Sequence, residues 1–168
     1  LGAPGIDGIT RLAASRQAIA KTYGLKAGEF RLVVLHPIDA DDAAESGRAK
    51  ALLAAMLRFE GCCVIVYPNN DPGSAGITRV WDSVPSAPGI KRVTHAPRKD
   101  FLGLLRDASV VIGNSSSGII EAASFGTPVI DIGPRQLGRE HGLNVVHVDY
   151  EPSAIAASQA CDPAESAA

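Results

Sequence analysis

The sequence predicts an α/β domain with a doubly wound, mostly parallel sheet, and three observations lead there. Short apolar, β-branched runs alternate with stretches of helical periodicity. The changes of period fall where Gly, Pro, Asn or Asp occur. The strand runs are apolar almost throughout, as they are when helices cover both faces of a parallel sheet. The 168 residues, 46% hydrophobic and 20% charged, are enough for one core and argue against overall disorder.

Taken in order, Asp7 is placed to cap a helix through Ile9, Leu12 and Ile19 to Tyr23, with Gly24 as its stop. Leu32–Leu35 reads as the first strand and ends at His36-Pro37. Residues 43–59 carry an amphipathic helix, and Cys63–Tyr67 a buried strand that runs out in Pro68-Asn69-Asn70-Asp71-Pro72. A helix over 74–83, a weak strand over 90–93 and a helix through Phe101, Leu104 and Leu105 follow, with His95-Ala96-Pro97 before the last of these. Val110–Ile112 is the next strand, then the run Gly113-Asn114-Ser115-Ser116-Ser117-Gly118, a helix to about Phe125, and strands at 128–132 and 144–148. Right-handed crossovers between parallel strands complete the reading. Residues 1–150 form the domain, and the Ala- and Ser-rich stretch 151–168 reads as a frayed tail.

Composition narrows the partners. The net charge is −2, and 16 basic residues are scattered among 18 acidic ones, so no nucleic-acid or anionic-membrane footprint is expected. Apolar runs fall well short of the ~18–20 residues that span a bilayer, and no secretory leader is recognisable, so a cytoplasmic location is expected. Three cysteines, two of them adjacent, fit neither a disulfide framework nor a metal spacing. Neither a metal nor a cofactor is anticipated.

Ligands of open α/β sheets bind outside the carboxyl ends of the strands. Those ends here carry His36, Asn69 with Asp71, His95, and the hydroxyl-rich run 113–118. Each alone is ordinary loop chemistry; their shared rim is the signal. Three successive serines exceed what one helix cap needs, and with flanking glycines and free helix N–H groups they suit a phosphate. A helix end contributes only ~0.3–1 kcal/mol toward an exposed anion, and up to ~2 kcal/mol when partly buried. Micromolar nucleotide binding requires about 8 kcal/mol, so other groups must help. Glu121, early in the next helix, can accept hydrogen bonds from a ribose diol, and Arg135 can reach phosphate. Asp39, Asp41, Asp42 and Glu45 read as loop and helix N-terminal charge.

The stretch from Val111 to Glu140, with Gly-Asn-Ser-Ser-Ser-Gly, Glu121 and Gly-Pro-Arg-Gln in order, resembles the UDP-N-acetylglucosamine 2-epimerases. Asn-Ser-Ser-Ser-Gly and His36-Pro37-Ile38 are closer to the hydrolysing branch than to the non-hydrolysing one, which usually has Asp-Ser-Gly-Gly and His-Arg-Arg-Glu-Asn. Gly2-Ala3-Pro4-Gly5-Ile6-Asp7 is similar to the stretch that leads into the family's second domain. The resemblance implies a Rossmann-like C-terminal domain of a GT-B fold, with the N-terminal domain lying outside this chain.

It further implies UDP as the bound group. Ser115 and Ser116 would take the diphosphate, Glu121 the ribose, Arg135 the phosphate side and His95 the uracil. His36, beside diphosphate and sugar, is the catalytic candidate of this half. The implied reaction removes the C2 proton of UDP-N-acetylglucosamine, expels UDP, and adds water to give N-acetylmannosamine for sialic or related nonulosonic acids. The family's acid and base carboxylates lie mainly in the other domain, so this chain alone is expected to be inactive. UDP-diacetylbacillosamine is an alternative substrate. A GT-B glycosyltransferase and a stand-alone nucleotide-sugar-binding module are alternative readings. Asn69, Asp71 and Arg79 resemble residues through which animal enzymes respond to CMP-sialic acid, and homo-oligomers are expected of the full-length enzyme.

Overall fold

A computed structural model describes residues 8–158. Asp7 and the Gly-x-Pro-x-x-Asp segment lie outside the described residues. Fourteen elements follow in order: α1 Ile9–Leu12, α2 Arg16–Tyr23, β1 Phe30–Val34, α3 Asp42–Met56, β2 Cys62–Val66, α4 Ser74–Ser83 and β3 Ile90–Val93. Then come α5 Arg98–Asp107, β4 Val110–Gly113, α6 Ser116–Ile120, α7 Ala122–Phe125, β5 Val129–Ile132, β6 Val145–Val148 and α8 Pro152–Ser158. The six strands form one sheet in the order β3-β2-β1-β4-β5-β6, and every pairing between them is parallel.

Alternation along the strands sends side chains to two cores. Leu32 and Val34 join Ile9, Ile19, Leu102, Leu105 and Ala122 on the face covered by α1, α2, α5 and α7. Val33 and Leu35 join Leu52, Ile77, Trp81, Ile130 and Ile155 on the face covered by α3, α4 and α8. Both faces of the central strands are thus buried, which is why β2 and β4 read as apolar runs, while the edge strand β3 keeps Lys91 and Arg92 exposed.

The first helix departs from expectation. Apolar positions continue the helical period from Ile9 to Tyr23, yet the chain is extended at Ala13 and restarts at Ser15. Ala14 donates its N–H to the Lys99 carbonyl at 2.8 Å, which takes the chain onto the start of α5. The Ser15 hydroxyl then caps α2 by accepting the Ala18 N–H at 3.1 Å. Likewise the helix expected to run to Phe125 divides at Glu121 into α6 and α7.

The domain also continues past residue 150. Residues 152–158 form α8, where Ile155 is wholly buried and the helix lies against α3. One inward residue suffices for so short a helix, so the stretch shows no apolar period. The rest of the expected tail lies outside the described residues. Ile155→Ala should cost about 2 kcal/mol, the low end for such truncations because the helix is peripheral. A urea-denaturation midpoint unchanged from wild type would contradict this docking.

Among the described residues, no helix is long and apolar enough to cross a membrane.

Candidate functional site

The strand order reverses direction between β1 and β4, and such a switch point opens a crevice at the carboxyl ends of the two strands. β1 delivers His36 there, and β4 delivers Gly113, Asn114 and Ser115. Gly113 makes their approach possible. Its φ is +146°, and a Cβ there would lie 1.8 Å from the Val34 carbonyl oxygen.

Asn114, wholly buried, ties the rim together. Its Oδ1 accepts the His36 N–H at 2.7 Å, while its Nδ2 donates to the His36 carbonyl at 2.8 Å and to the Tyr150 hydroxyl at 3.3 Å. Its own carbonyl accepts from Gln136 Nε2 at 2.9 Å and from Arg135 Nη1 at 3.1 Å. One residue therefore holds the segment leaving β1, the loop after β5 and the segment after β6. Sequence reasoning included Asn114 in the serine-rich turn without giving it this role; an amide at a strand end between Gly and Ser was the available signal.

His36 is braced from a further side. Its Nδ1 accepts the Asn69 N–H at 3.2 Å, so in the neutral ring the proton sits on Nε2. Burial, reinforced by the Arg135 charge, pushes this imidazole below its usual range, with Asp71 and Asn69 opposing. A neutral ring results, with an Nε2 donor that meets no acceptor among the described residues. Asn69 in turn donates its amide to Asp71 at 2.6 Å. Arg79 does not join them in this arrangement: it pairs with Asp42 at 3.5 Å.

The acidic cluster after β1 is more specialised than helix N-terminal charge. Asp41 does cap α3, accepting the Ala43 N–H at 2.8 Å. Glu45, however, is fully buried, and its Oε1 accepts the N–H groups of Ile38 and Asp39 at 2.8 Å each and Arg48 Nη1 at 2.6 Å. It fixes the chain that leaves His36.

Ser115 caps α6, its hydroxyl accepting the Ser117 N–H at 3.3 Å. A hydroxyl that accepts this way still has its proton to donate, and Ser116 and Ser117 are half-buried beside it. Glu121, at the α6–α7 junction, is buried, with Oε1 paired to Arg98 Nη2 and Oε2 enclosed without a hydrogen-bond partner among the described residues. Arg98 opens α5 directly after His95-Ala96-Pro97, and His95 is exposed. Arg98 was also missed from sequence, although a basic residue after that segment was visible.

Behind Arg135 lies a second pair. Asp131 is buried and meets His147 Nδ1 at 2.7 Å, with the His141 ring edge-on to His147. Burial pushes the Asp131 carboxyl up and outweighs the opposing pull of His147. Among the described residues no group of three or more His, Cys, Asp or Glu is placed to hold a metal ion.

The described sheet is of the kind found in GT-B enzymes of nucleotide-sugar chemistry. A solved UDP-GlcNAc 2-epimerase from Neisseria meningitidis, bound to UDP-GlcNAc, superposes with a TM-score of 0.64 at 15% identity. The match covers 86% of this chain and 39% of that one. The chain belongs to the UDP-N-acetylglucosamine 2-epimerase family, whose model matches residues 1–165. Similar proteins include a UDP-N,N'-diacetylbacillosamine 2-epimerase (hydrolyzing) of Legionella pneumophila, 33% identical over 92% of this chain and 42% of its own. A UDP-N-acetylglucosamine 2-epimerase of Neisseria meningitidis is 31% identical over 96% of this chain and 43% of its own. The chain thus spans about two fifths of the length of these curated relatives.

Proposed function

We propose that this chain is the UDP-binding C-terminal domain of a hydrolysing 2-epimerase, which converts UDP-N-acetylglucosamine and water to N-acetylmannosamine and UDP. The observation that carries the reading is the Asn114-centred rim, where His36, Arg135 and the serine turn converge at the switch point. All three can donate hydrogen bonds, and departing UDP places new negative charge on the diphosphate oxygen that leaves C1 of the sugar. Donors held in place before that charge develops favour the transition state over the ground state.

In this reading Ser115 and Ser116 donate to the diphosphate, Arg135 supplies positive charge, and His36 donates from Nε2 near the sugar. Glu121 receives the ribose hydroxyls, and His95 lies along the uracil. The C2 proton goes to a base outside this chain. Elimination breaks the C2–H and C1–O bonds, leaving a 2-acetamidoglucal and UDP, and water then adds across the double bond. The product fits a supply of amino sugar for sialic or related acids, and the soluble reaction fits the cytoplasm. The name of the Legionella relative favours a second reading of the sugar, in which UDP-diacetylbacillosamine is the substrate.

Calorimetry on the 168-residue chain tests the assignment. Hydrogen bonds to charged groups contribute about 1.5–3 kcal/mol each. Ser115→Ala combined with Ser116→Ala should therefore weaken UDP by at least ~100-fold, where 1.4 kcal/mol is tenfold, and uridine by less than ~3-fold. Equal losses would place the serines away from the diphosphate. The chain by itself should release no N-acetylmannosamine, whereas the full-length gene product supplied with each UDP-sugar should consume one and free UDP without an acceptor.

A further inference from the structure

We propose that Arg98 is the positioning residue for ribose recognition: by holding one oxygen of Glu121, it turns the other toward the 2′-hydroxyl of a bound nucleotide. The inference rests on the UDP reading of the site and adds a residue to it.

Glu121 sits where α6 ends and α7 begins. Its carboxylate is almost enclosed, 11% exposed, and among the described residues one polar side-chain contact restrains it, the Arg98 guanidinium on Oε1. Oε2 is buried and meets no donor among the described residues. An exposed ion pair contributes little, because water competes for both partners. This pair is asymmetric: the arginine side chain is 57% exposed and the carboxylate is not. Removing the cation would leave a buried carboxylate without the one side-chain partner it has among the described residues, which is far costlier than losing a surface contact.

A buried acceptor lacking a donor is uncommon in a well-packed protein and points to a group that arrives from outside. The required donor is a hydroxyl or N–H. Neighbouring hydroxyls of a ribose can meet both carboxylate oxygens, since Oε1 has a second lone pair beside the arginine. Arg98 is well situated for this task. It is the first residue of α5, immediately after the His95-Ala96-Pro97 segment, and reaches across to the helix junction after β4. The base-side and sugar-side segments of the rim are thereby joined by a single side-chain contact. A site that relies on a fixed, buried acceptor rejects the analogue without the matching hydroxyl more strongly than a solvated one does.

The test compares UDP with 2′-deoxy-UDP by calorimetry on the wild-type chain and on Arg98→Ala and Arg98→Lys. Wild type should prefer UDP by at least ~10-fold. Arg98→Ala should lower UDP affinity about 10-fold and collapse the preference to below ~3-fold, and Arg98→Lys, which keeps the charge but loses the planar fork, should fall between. Thermal unfolding of each variant checks that the fold persists. Loss of affinity for both nucleotides with the preference intact would show a merely structural contact and overturn the proposal. If wild type prefers UDP and Arg98→Ala keeps that preference, the proposal fails while the UDP reading stands. If wild type binds neither nucleotide, the UDP reading fails first and takes the proposal with it.

Discussion

Alanine at position 113 is expected to destabilise the domain by more than about 4 kcal/mol, beyond the range of ordinary substitutions. Two costs combine there: a φ of +146° that an L side chain rarely adopts, and a Cβ 1.8 Å from the Val34 carbonyl oxygen. β1 and β4 cannot separate to make room without losing the pairing of Val34 with Gly113. Gly126→Ala is the control. Gly126 also has a positive φ, +67°, but nothing lies within 4 Å of its Cβ position, so the change should cost only the ~1–2 kcal/mol of a left-handed residue. Guanidinium denaturation of both variants decides the matter, and similar losses at the two positions would refute the steric argument.

Asn114→Ala should produce the second large effect, on stability and on binding together. It orphans the backbone N–H and carbonyl of His36, at about 1–3 kcal/mol for each buried group left unpaired. A loss of about 3 kcal/mol in unfolding free energy is expected, together with at least ~10-fold weaker UDP binding as the imidazole loses its fixed position. Asn114→Asp should do no better. It keeps the acceptor for the His36 N–H but turns a carboxylate oxygen toward the His36 carbonyl. Wild-type UDP affinity in a folded Asn114→Ala chain would show that the clamp serves the fold alone.

The order of strands and helices was legible because each buried strand is a short apolar run bounded by turn residues. α4 and β3 fall on the residues that period and punctuation indicate. The break at Ala13 was not legible, since Ile9, Leu12 and Ile19 keep helical spacing across it and the bond from Ala14 to Lys99 is long-range. The same holds at the rim. Sequence places His36, Asn69, the serine turn and Arg135 at the correct strand ends, because the end of a strand is a local property. It does not reveal that Asn114 grips His36, that Glu45 grips Ile38 and Asp39, or that Arg98 reaches Glu121. Each of those depends on which segments the topology makes neighbours. Glu45 shows the ambiguity most plainly: an acidic residue in the first turn of a helix suits the dipole equally well exposed or buried, and only the loop packed over it makes it a buried acceptor.

The clamp between Asn114 and His36 also bears on how the molecule assembles. The two residues stand 78 positions apart, so their meeting closes a long stretch of chain, at an entropic cost that local helix and strand formation does not share. Any partly folded form in which β1 and β4 remain unpaired therefore lacks the crevice altogether, however much of its helix is in place. In refolding, recovery of nucleotide affinity should follow the joining of the two halves of the sheet rather than the return of helical signal.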